Sequence, residues 1–414
     1  MKFNIVFLLL LTGIFAKAQK PLSLDSAQKY LQKNNLFLLA EQYNVTIAQA
    51  AVIQARIWDQ PFLSGEFNAI NPQSNRFFDV GEQGQKGLAI QQLIYLGGKK
   101  KNEVAFAKSN VSIAELQFEQ LLRNLKHQLA QTFYSLHYDM RKVSTVENQI
   151  GKLDTLLTNY DIQVKKGNIP LKEVVRLQSL VLTLKNEKNI LVRVILEQQQ
   201  TIALLTGLNE FITPIIDEQK LTSQYQSIKI SKDSLFTMVL ANNVEYLTAI
   251  KISESQELFL RWQKSLATPD LVAGAAYDQR GGAFQNQVNL TFGIPLPLWN
   301  RNKGNIKIAE AQLRQSAISK NYKKLQLQTQ LESLWQLWVI QQNQLSSLDN
   351  SIVLNLDAVY TGMINNFNKR NISLLEFIDF MESYNETNIQ INEIKKSWIL
   401  ASLSLNHFTN KEVF

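Results

Sequence analysis

The sequence predicts a mainly α-helical fold that carries two β-hairpins, and three observations support this prediction. Long stretches lack both Gly and Pro, a unit of about 200 residues occurs twice, and short segments alternate between apolar and polar residues. Because Gly and Pro interrupt regular elements, their absence indicates very long helices at residues 99–150, 215–268 and 305–361. Most of the 16 glycines lie instead within 61–98 and 269–304, where we expect the hairpins.

A duplication of the chain is visible as matching residues at a nearly constant spacing. Residues of the first half return 208 positions later in the pairs Asp25 and Asp233, Asn35 and Asn243, and Pro61 and Pro269. Further along, residues 167–169 correspond to 370–372 at a spacing of 203. Such a repeat indicates one structural unit copied twice. The predicted organisation is a signal peptide at 1–18, a first repeat at 19–207, a linker at 208–230 and a second repeat at 231–414.

Each repeat is predicted to contain the same elements in the same order. A first helix ends at a proline, a β-hairpin follows, and a long helix leads through a tight turn to a returning helix. Apolar residues in the long helices recur at alternating spacings of three and four, which is typical of a coiled coil. The predicted helices cover residues 24–58, 98–164 and 171–205, and then 233–266, 300–367 and 374–407. The predicted strands cover about 61–70, 86–96, 269–278 and 286–298.

The N-terminus has the pattern of a secretory signal peptide. Lys2 precedes an apolar run at residues 5–15, and Ala16-Lys17-Ala18 provides a cleavage site with small residues. The run is too short to cross about 30 Å of hydrocarbon as a helix. Cleavage after Ala18 would remove two lysines and lower the net charge from +8 to +6. We therefore expect an exported chain, and its later segments predict no transmembrane helix.

The composition excludes most catalytic chemistry. The chain has no Cys and only 3 His, which excludes disulfides, thiolate metal sites and a lipidated N-terminal Cys. The glycines at 81–87 and 97–98 do not match a phosphate-binding loop. Lys99, Lys100 and Lys101 form a short cluster that suits a membrane interface or a solvated helix start, and not the spread basic face of a nucleic-acid site. We predict no enzyme, no cofactor, no metal site and no nucleic-acid partner.

The predicted strands have one apolar and one polar face, as the strands of an outer-membrane barrel do. The two kinds of residue alternate in 63–69 and 287–294. Aromatic residues near the strand ends are typical of membrane interfaces: they are Phe62, Tyr95 and Trp299 on the helix side and Tyr277 on the loop side. A soluble half-buried sheet would explain one such strand, but four strands joined to long helices behind a signal peptide favour a membrane.

Four strands are too few to close a barrel. An open sheet edge is not tolerated in lipid, because its backbone groups would lack hydrogen-bond partners. The chain is therefore expected to form oligomers, and three copies would supply 12 strands. The outer surface of that barrel would contact outer-membrane lipid.

The duplicated units, the tight turns and the exits of the hairpins resemble the TolC outer-membrane factor family of outer-membrane efflux proteins. The resemblance covers residues 20–410. Its most specific parts are Ile294-Pro-Leu-Pro-Leu-Trp-Asn-Arg-Asn-Lys-Gly-Asn-Ile306, Ala309-Glu-Ala311, and the segments 167–173 and 370–379. The Pro-Leu-Pro-Leu-aromatic-Asn-Arg-Asn-x-Gly form is most similar to the heavy-metal efflux branch typified by CzcC and CusC.

The resemblance implies a homotrimeric channel in the outer membrane of a Gram-negative bacterium. A 12-stranded β-barrel would continue into the periplasm as an α-helical coiled-coil barrel. The duct would do no bond chemistry and would receive heavy-metal cations from an inner-membrane pump of the resistance-nodulation-division type. A periplasmic adaptor would contact the tip turns at Gly167, Asn168, Ile169, Arg370, Asn371 and Ile372.

The resemblance also gives a second interpretation to Glu376 and Asp379. From the residues alone, these two carboxylates are an ordinary group of charges near a helix N-terminus. In the family, an acidic ring after the second tip turn often narrows the periplasmic entrance, and acids in a pore bind cations. The first repeat has Glu173 and Arg176 at the matching positions.

The sequence departs from the family pattern at Arg370, where a Gly is usual, so the geometry of that turn is an open point. Two alternatives remain for the function. A drug-efflux duct or a type I secretion duct would have the same architecture. A soluble periplasmic coiled-coil scaffold or adaptor belongs to a different class, and would purify without detergent as a monomer or dimer.

Overall fold

The computed structural model describes residues 20–72, 75–228, 230–281, 283–348 and 350–414. The predicted signal peptide, residues 1–18, lies outside these ranges. Two compact units are assembled from segments that are distant in sequence. The helical unit comprises the described parts of 1–39, 121–239 and 329–414, and the sheet unit comprises those of 40–120 and 240–328.

Helices dominate the described residues, which confirms the predicted mainly helical class. The helices are α1 (Leu24–Asn34), α2 (Leu36–Arg56), α3 (Lys99–Lys165), α4 (Leu171–Thr206), α5 (Glu218–Tyr225), α6 (Lys232–Asn242), α7 (Val244–Ser265), α8 (Lys303–Ser346), α9 (Asn350–Asn368) and α10 (Leu374–Thr409). The strands are β1 (Lys20–Leu22), β2 (Phe62–Phe67), β3 (Ile70–Asn71), β4 (Arg76–Phe77), β5 (Gln85–Ile94), β6 (Ile212–Pro214), β7 (Leu271–Arg280) and β8 (Phe284–Gly293).

Four strands form one antiparallel sheet in the order β2-β5-β7-β8. The first hairpin is β2 with β5, and the second is β7 with β8. The hairpins are joined by pairing of β5 with β7, from Gln85 opposite Arg280 to Ile94 opposite Leu271. Both repeats thus contribute to a single sheet, and the short pair β3 and β4 lies in the loop of the first hairpin.

The single helices predicted at 24–58 and 233–266 are wrong, because each is divided at an asparagine. Asn35 and Asn243 have extended ψ angles of 108° and 116°. Their side-chain oxygens accept hydrogen bonds from the backbone N–H groups of Leu38 at 2.7 Å and Tyr246 at 3.1 Å. Each side chain therefore caps a new helix, as Asn commonly does. The two residues match at the repeat spacing of 208, so both repeats contain the same break.

The long helix of the first repeat is confirmed, whereas that of the second is interrupted. α3 runs without a break from Lys99 to Lys165. In the second repeat α8 ends at Ser346 and α9 begins at Asn350. The sequence here is Ser-Ser-Leu-Asp-Asn, and the hydroxyl of Ser347 donates to the carbonyl of Gln344 at 2.8 Å. Short polar side chains compete in this way with helical backbone hydrogen bonds.

The segment 208–230 contains regular structure within the helical unit. β6 pairs in parallel with β1, with Lys20 opposite Ile212. The buried carboxamide of Gln199 donates to the carbonyl of Ile212 at 2.7 Å and accepts from its N–H at 3.0 Å. Asp217 then caps α5 by accepting from two backbone N–H groups. β1 and β6 have three residues each, too few to show an alternating pattern.

The core of the helical unit includes a cluster to which α3, α4, α9 and α10 contribute, with stacked aromatic rings between α9 and α10. Phe367 stacks on Phe377 with 4.1 Å between ring centres, and Tyr360 stacks on Tyr384 at 4.2 Å. Phe377 is fully buried, and Leu153 and Leu177 are buried in the same cluster. This packing follows the predicted coiled-coil spacing.

Among the described residues, α2 alone is long and apolar enough to cross a membrane by the criteria of length and composition. Its apolar residues have little contact within the chain: Tyr43, Ile47 and Ile53 are 67%, 65% and 65% exposed. Glu41, Gln42 and Asn44 lie on the same helix. The helix thus presents a large apolar surface that the single chain leaves uncovered.

Candidate functional site

The four-stranded sheet has two faces of opposite character, which its register defines. One face is mostly apolar and carries Leu63, Leu88, Ile90, Ala273, Ala275, Tyr277, Val288, Leu290 and Phe292. Lys86, Gln92 and Gln279 lie on the same face towards the strand ends. The other face carries Ser64, Glu66, Gln91, Gly274, Ala276, Asp278, Gln287, Asn289 and Thr291. Because successive side chains of a strand point to opposite faces, this division continues across both repeats.

The apolar face of the sheet is not covered by the rest of the chain. Val288, Leu290 and Phe292 are 71%, 74% and 73% exposed, and Leu63 is 63% exposed. Within the described residues, the outer strands β2 and β8 pair on one side only. An exposed apolar face with two open edges suits a lipid surface and pairing with further strands.

Of the four predicted interface aromatics, Phe62 begins β2 and Tyr95 follows β5, whereas Tyr277 lies within β7 and Trp299 lies six residues beyond β8. Tyr277 is on the apolar face, and its hydroxyl donates to the Asn286 side chain at 2.6 Å. Tyr95 follows β5 and packs against Trp58 with 5.6 Å between ring centres. Trp299 is 92% exposed. Phe62 lies opposite Gln91 and so starts on the polar face of the sheet.

The two tip turns have the same backbone geometry. Gly167 and Arg370 both adopt left-handed φ angles, 73° and 62°. At the first tip the N–H groups of Gly167 and Asn168 donate to the carbonyls three and five residues earlier, and Arg370 and Asn371 do the same at the second. This is the Schellman arrangement that ends many helices. The geometry of the second turn is thereby established, because Arg370 adopts the same left-handed conformation as Gly167 in the first repeat.

We expect Arg370→Gly to raise the free energy of unfolding by about 0.5–1 kcal/mol, because Gly adopts the left-handed conformation without the steric conflict of a Cβ atom. Thermal unfolding followed by circular dichroism at 222 nm would measure the change. Lys369→Gly is the matched control, since Lys369 has no positive φ angle and Gly should destabilise there. If both variants changed the free energy of unfolding by the same amount, the left-handed conformation of Arg370 would not be the source of a steric conflict.

Glu376 takes part in a capping box at the start of α10. The hydroxyl of Ser373 accepts from the N–H of Glu376 at 3.2 Å, and the Glu376 carboxylate accepts from the Ser373 N–H and hydroxyl at 2.8 Å each. These hydrogen bonds lower the pKa of Glu376 below its usual value. Glu376 and Asp379 are both exposed, so both side chains face solvent, and Glu376 also stabilises the helix end.

The three histidines form no metal site in the part of the chain that the structure describes, where no group of three or more His, Asp or Glu side chains converges. His127 stacks instead on His407, with 4.2 Å between ring centres and 6° between planes. Burial and the neighbouring His407 lower the pKa of His127 to about 4. At neutral pH the His127 ring is therefore uncharged, which permits the stacking.

The junction of sheet and helices contains contacts that the sequence did not reveal. Lys99 is buried, and its Nζ lies 2.6 Å from an Asp270 carboxylate oxygen. The other Asp270 oxygen accepts from the Leu96 N–H at 3.1 Å. Asp270 thus links the residue before β7 to the residues that follow β5. Beside this contact, Arg56 and Trp58 approach the first turns of α3 and line a basic cleft.

The sequence matches no protein-family profile, and no curated protein matches it. Solved structures are similar in fold over most of the chain. A membrane protein from Pseudomonas aeruginosa matches with a TM-score of 0.76 and 13% identity, over 93% of this chain and 92% of that one. CusC, whose structures concern transmembrane channel formation, matches with a TM-score of 0.74 and 15% identity, over 93% and 91%. VceC, an outer membrane protein from Vibrio cholerae, matches with 0.70 and 15%, over 94% and 96%.

At these identities the comparisons establish the fold. Because they cover nearly all of this chain and of each neighbour, the similarity extends to the helices and the four-stranded sheet together. The chain has the fold of known membrane and channel proteins.

Proposed function

We propose that this chain is one protomer of an outer-membrane channel of the TolC family, localised to the outer membrane of a Gram-negative bacterium and extending into the periplasm. The observation that carries the proposal is the sheet, whose exposed apolar face and opposite polar face suit lipid and a water-filled lumen. The fold similarity to outer-membrane and channel proteins supports it. The chain serves as a passive duct that does no bond chemistry and needs no cofactor.

The functional form is a homotrimer. The outer strands β2 and β8 each pair on one side only, and in lipid their free backbone groups require further strands as hydrogen-bond partners. Three copies of four strands would close a 12-stranded barrel. The exposed apolar surface of α2, with Tyr43, Ile47 and Ile53, would be covered by a neighbouring copy in the same assembly. Beyond the membrane the long helices would form the periplasmic α-helical barrel.

The partners are a periplasmic adaptor and an inner-membrane pump of the resistance-nodulation-division type. The adaptor would contact the tip turns, where Gly167, Asn168, Arg370 and Asn371 are exposed, together with Ile169 and Ile372. Matching Schellman turns at both tips would present a repeated surface to such a partner. The pump supplies the energy for transport, and the duct provides the exit.

Cell fractionation and purification test this function against the soluble scaffold. The duct predicts that the chain is found in the outer-membrane fraction, requires detergent, and has a protein mass of three chains in light scattering. It also predicts ion conductance in planar bilayers. A monomer or dimer that remains soluble without detergent would reject the channel.

We propose heavy-metal cations as the substrate on the basis of the segment 294–306, which resembles the CzcC and CusC branch. Drug efflux and type I secretion are the alternatives for the same duct. A metal substrate suits an entrance lined by carboxylates, and the exposed Glu376 and Asp379 follow the second tip turn directly. Metal sensitivity of a strain lacking the gene, with unchanged drug sensitivity, would support the metal substrate.

Replacing both carboxylates, as Glu376→Gln with Asp379→Asn, is expected to change single-channel conductance and to remove block by multivalent cations, because acids in a pore bind cations. Gln at position 376 retains the ability to form the capping box, so the helix end should persist. Glu173→Gln in the first repeat is the control and should leave the block intact. Unchanged conductance and block in the double variant would reject the acidic ring.

A further inference from the structure

A cleft of about 460 Å³ lies in the sheet unit, between the end of α2 and the start of α3. It is lined by Arg56, Trp58, Lys100, Lys101, Val104, Ala105 and Lys108. Four of these seven residues are cationic and none is acidic. Lys101, Val104, Ala105 and Lys108 are spaced as neighbours on one face of a helix, so α3 supplies a continuous wall.

Most of the positive charge in this cleft is not neutralised by the protein. Arg56, Lys101 and Lys108 are exposed and make no ion pair with the described residues. Lys100 is partly satisfied, with its Nζ 3.0 Å from the Glu103 carboxylate. Lys99, next to it in sequence, is buried and pairs with Asp270. Three unpaired cations around one concave surface favour binding of an anion.

One side of the cleft is aromatic and adjoins the sheet. Trp58 is 51% exposed and packs against Tyr95. The Nζ of Lys100 lies 5.0 Å from the centre of the Tyr95 ring, a cation–π distance. β2 begins at Phe62, only four residues beyond Trp58. An indole beside cations is a combination found where proteins meet lipid headgroups.

The second repeat has different side chains at the positions that match this cleft. At a spacing of 208, Arg56 and Trp58 match Lys264 and Leu266. At a spacing of 202, Lys100, Lys101 and Lys108 match Asn302, Lys303 and Glu310. The first repeat also turns from β5 into α3 through residues 95–98, where Gly97 and Gly98 have left-handed φ angles of 66° and 72°. The second repeat uses the longer link 294–302. The second repeat thus keeps two of the cations, but has an acid in place of Lys108 and no indole, so the combination of four cations with Trp58 is a property of the first repeat.

We propose that the cleft binds the phosphate group of an anionic phospholipid, with Arg56, Lys101 and Lys108 as the ligands of the phosphate and Trp58 beside the glycerol and upper acyl chain. The inference rests on the proposed function, which places this end of the sheet at the periplasmic surface of the outer membrane. Free phosphate would meet the same cations. It would make no use of Trp58, so a phospholipid fits the lining of the cleft better than free phosphate does.

Native mass spectrometry of the purified oligomer tests the site, with phosphatidylglycerol, phosphatidylcholine and inorganic phosphate as separate probes. The wild type should bind phosphatidylglycerol in preference to phosphatidylcholine, with up to one lipid per chain. The triple variant Arg56→Gln, Lys101→Gln and Lys108→Gln should lose at least about tenfold in affinity, since each surface cation contributes appreciably to binding anionic lipid. The control removes three cations at the second repeat, as Arg301→Gln, Lys303→Gln and Lys307→Gln, and should retain binding.

A second variant, Trp58→Leu, gives the cleft the aliphatic residue of the second repeat and should weaken lipid binding without changing the cleft's charge. Equal lipid binding by the wild type and the triple variant would overturn the proposal, as would an equal loss in the control triple. Inorganic phosphate that competes fully with the lipid at equal concentration would assign the cleft to free phosphate and overturn the lipid. A trimeric, conducting wild type without lipid preference would reject this inference alone, whereas a soluble monomer would reject the proposed function.

Discussion

Asp139→Ala is expected to lower the free energy of unfolding of the helical unit by about 3–5 kcal/mol per chain, because it removes the centre of a buried ionic cluster. Asp139 lies on α3 and is 2% exposed. One carboxylate oxygen is 3.1 Å from the Nζ of Lys142 and 3.2 Å from that of Lys396, and the other accepts from Gln198 at 2.8 Å. The residue thereby connects α3, α4 and α10.

The size of the effect follows from what the substitution leaves behind. Lys142 is also buried, with 5% of its side chain exposed, and would keep Glu393 alone as its anionic partner. A buried charge that loses a partner is destabilising by far more than the net contribution of the original pair. Asp154→Ala is the matched control on the same helix, because the Asp154–Lys185 pair is about half exposed and should contribute 1 kcal/mol or less. Chemical denaturation followed by circular dichroism would compare the two, and similar losses would contradict the cluster's role.

The same cluster predicts a dependence on pH. Burial alone would raise the pKa of Asp139, but the hydrogen bond from Gln198 and the charges of Lys396 and Lys142 outweigh it and hold the pKa below 3.8. A carboxyl whose pKa is lower in the folded state stabilises the fold above its unfolded pKa, and this stability is lost as the pH falls through the folded pKa. The difference in melting temperature between wild type and Asp139→Ala should therefore be large at pH 7 and should shrink below about pH 3.8.

The extended features of the fold were predictable because they depend on long patterns. The Gly- and Pro-free run after Lys99 predicted most of α3, which continues past Gly151 to Lys165. The similar runs at 215–268 and 305–361 are divided into shorter helices, so the absence of Gly and Pro alone does not guarantee one helix. The matching of residues 167–169 with 370–372 indicated equivalent turns, and the structure has them. Helix breaks that depend on a single residue were harder to predict. Asn35 and Asn243 were visible as a repeated pair, but their choice between helix interior and cap is decided by one hydrogen bond each.

The candidate sites depend on contacts between distant segments, which the sequence pattern does not contain. The spacing of Lys101 and Lys108 places them on one helix face, but only the fold brings Arg56 and Trp58 beside them. The burial of Asp139 could likewise not be predicted from the sequence, because its partners Gln198 and Lys396 lie on other helices. For Glu376 the signal was present in the sequence as Ser-x-x-Glu before an apolar run, the signature of a capping box.

Ile90→Arg is expected to abolish most trimer assembly in the outer membrane, because it places a charge on the apolar face of the sheet. Ile90 is in the middle of β5, is 49% exposed, and has Leu63 and Ala275 as its neighbours across the sheet. An Arg facing lipid near the bilayer midplane costs about 2–4 kcal/mol per chain. A trimer carries this cost three times. The amount of assembled protein in isolated outer membranes, resolved by electrophoresis without heating, would measure the effect.

The adjacent residue provides the control, since neighbours in a strand point to opposite faces. Gln91 lies opposite Gly274 on the polar face of the sheet. The proposed function assigns this face to the lumen. Gln91→Arg should assemble normally and reduce cation conductance in bilayers, because three added positive charges would then line the pore. Ile90→Ala should also assemble, which separates the added charge from the lost side chain. If Ile90→Arg assembles as well as Gln91→Arg, the apolar face does not contact lipid, and a soluble sheet becomes the better account of these strands.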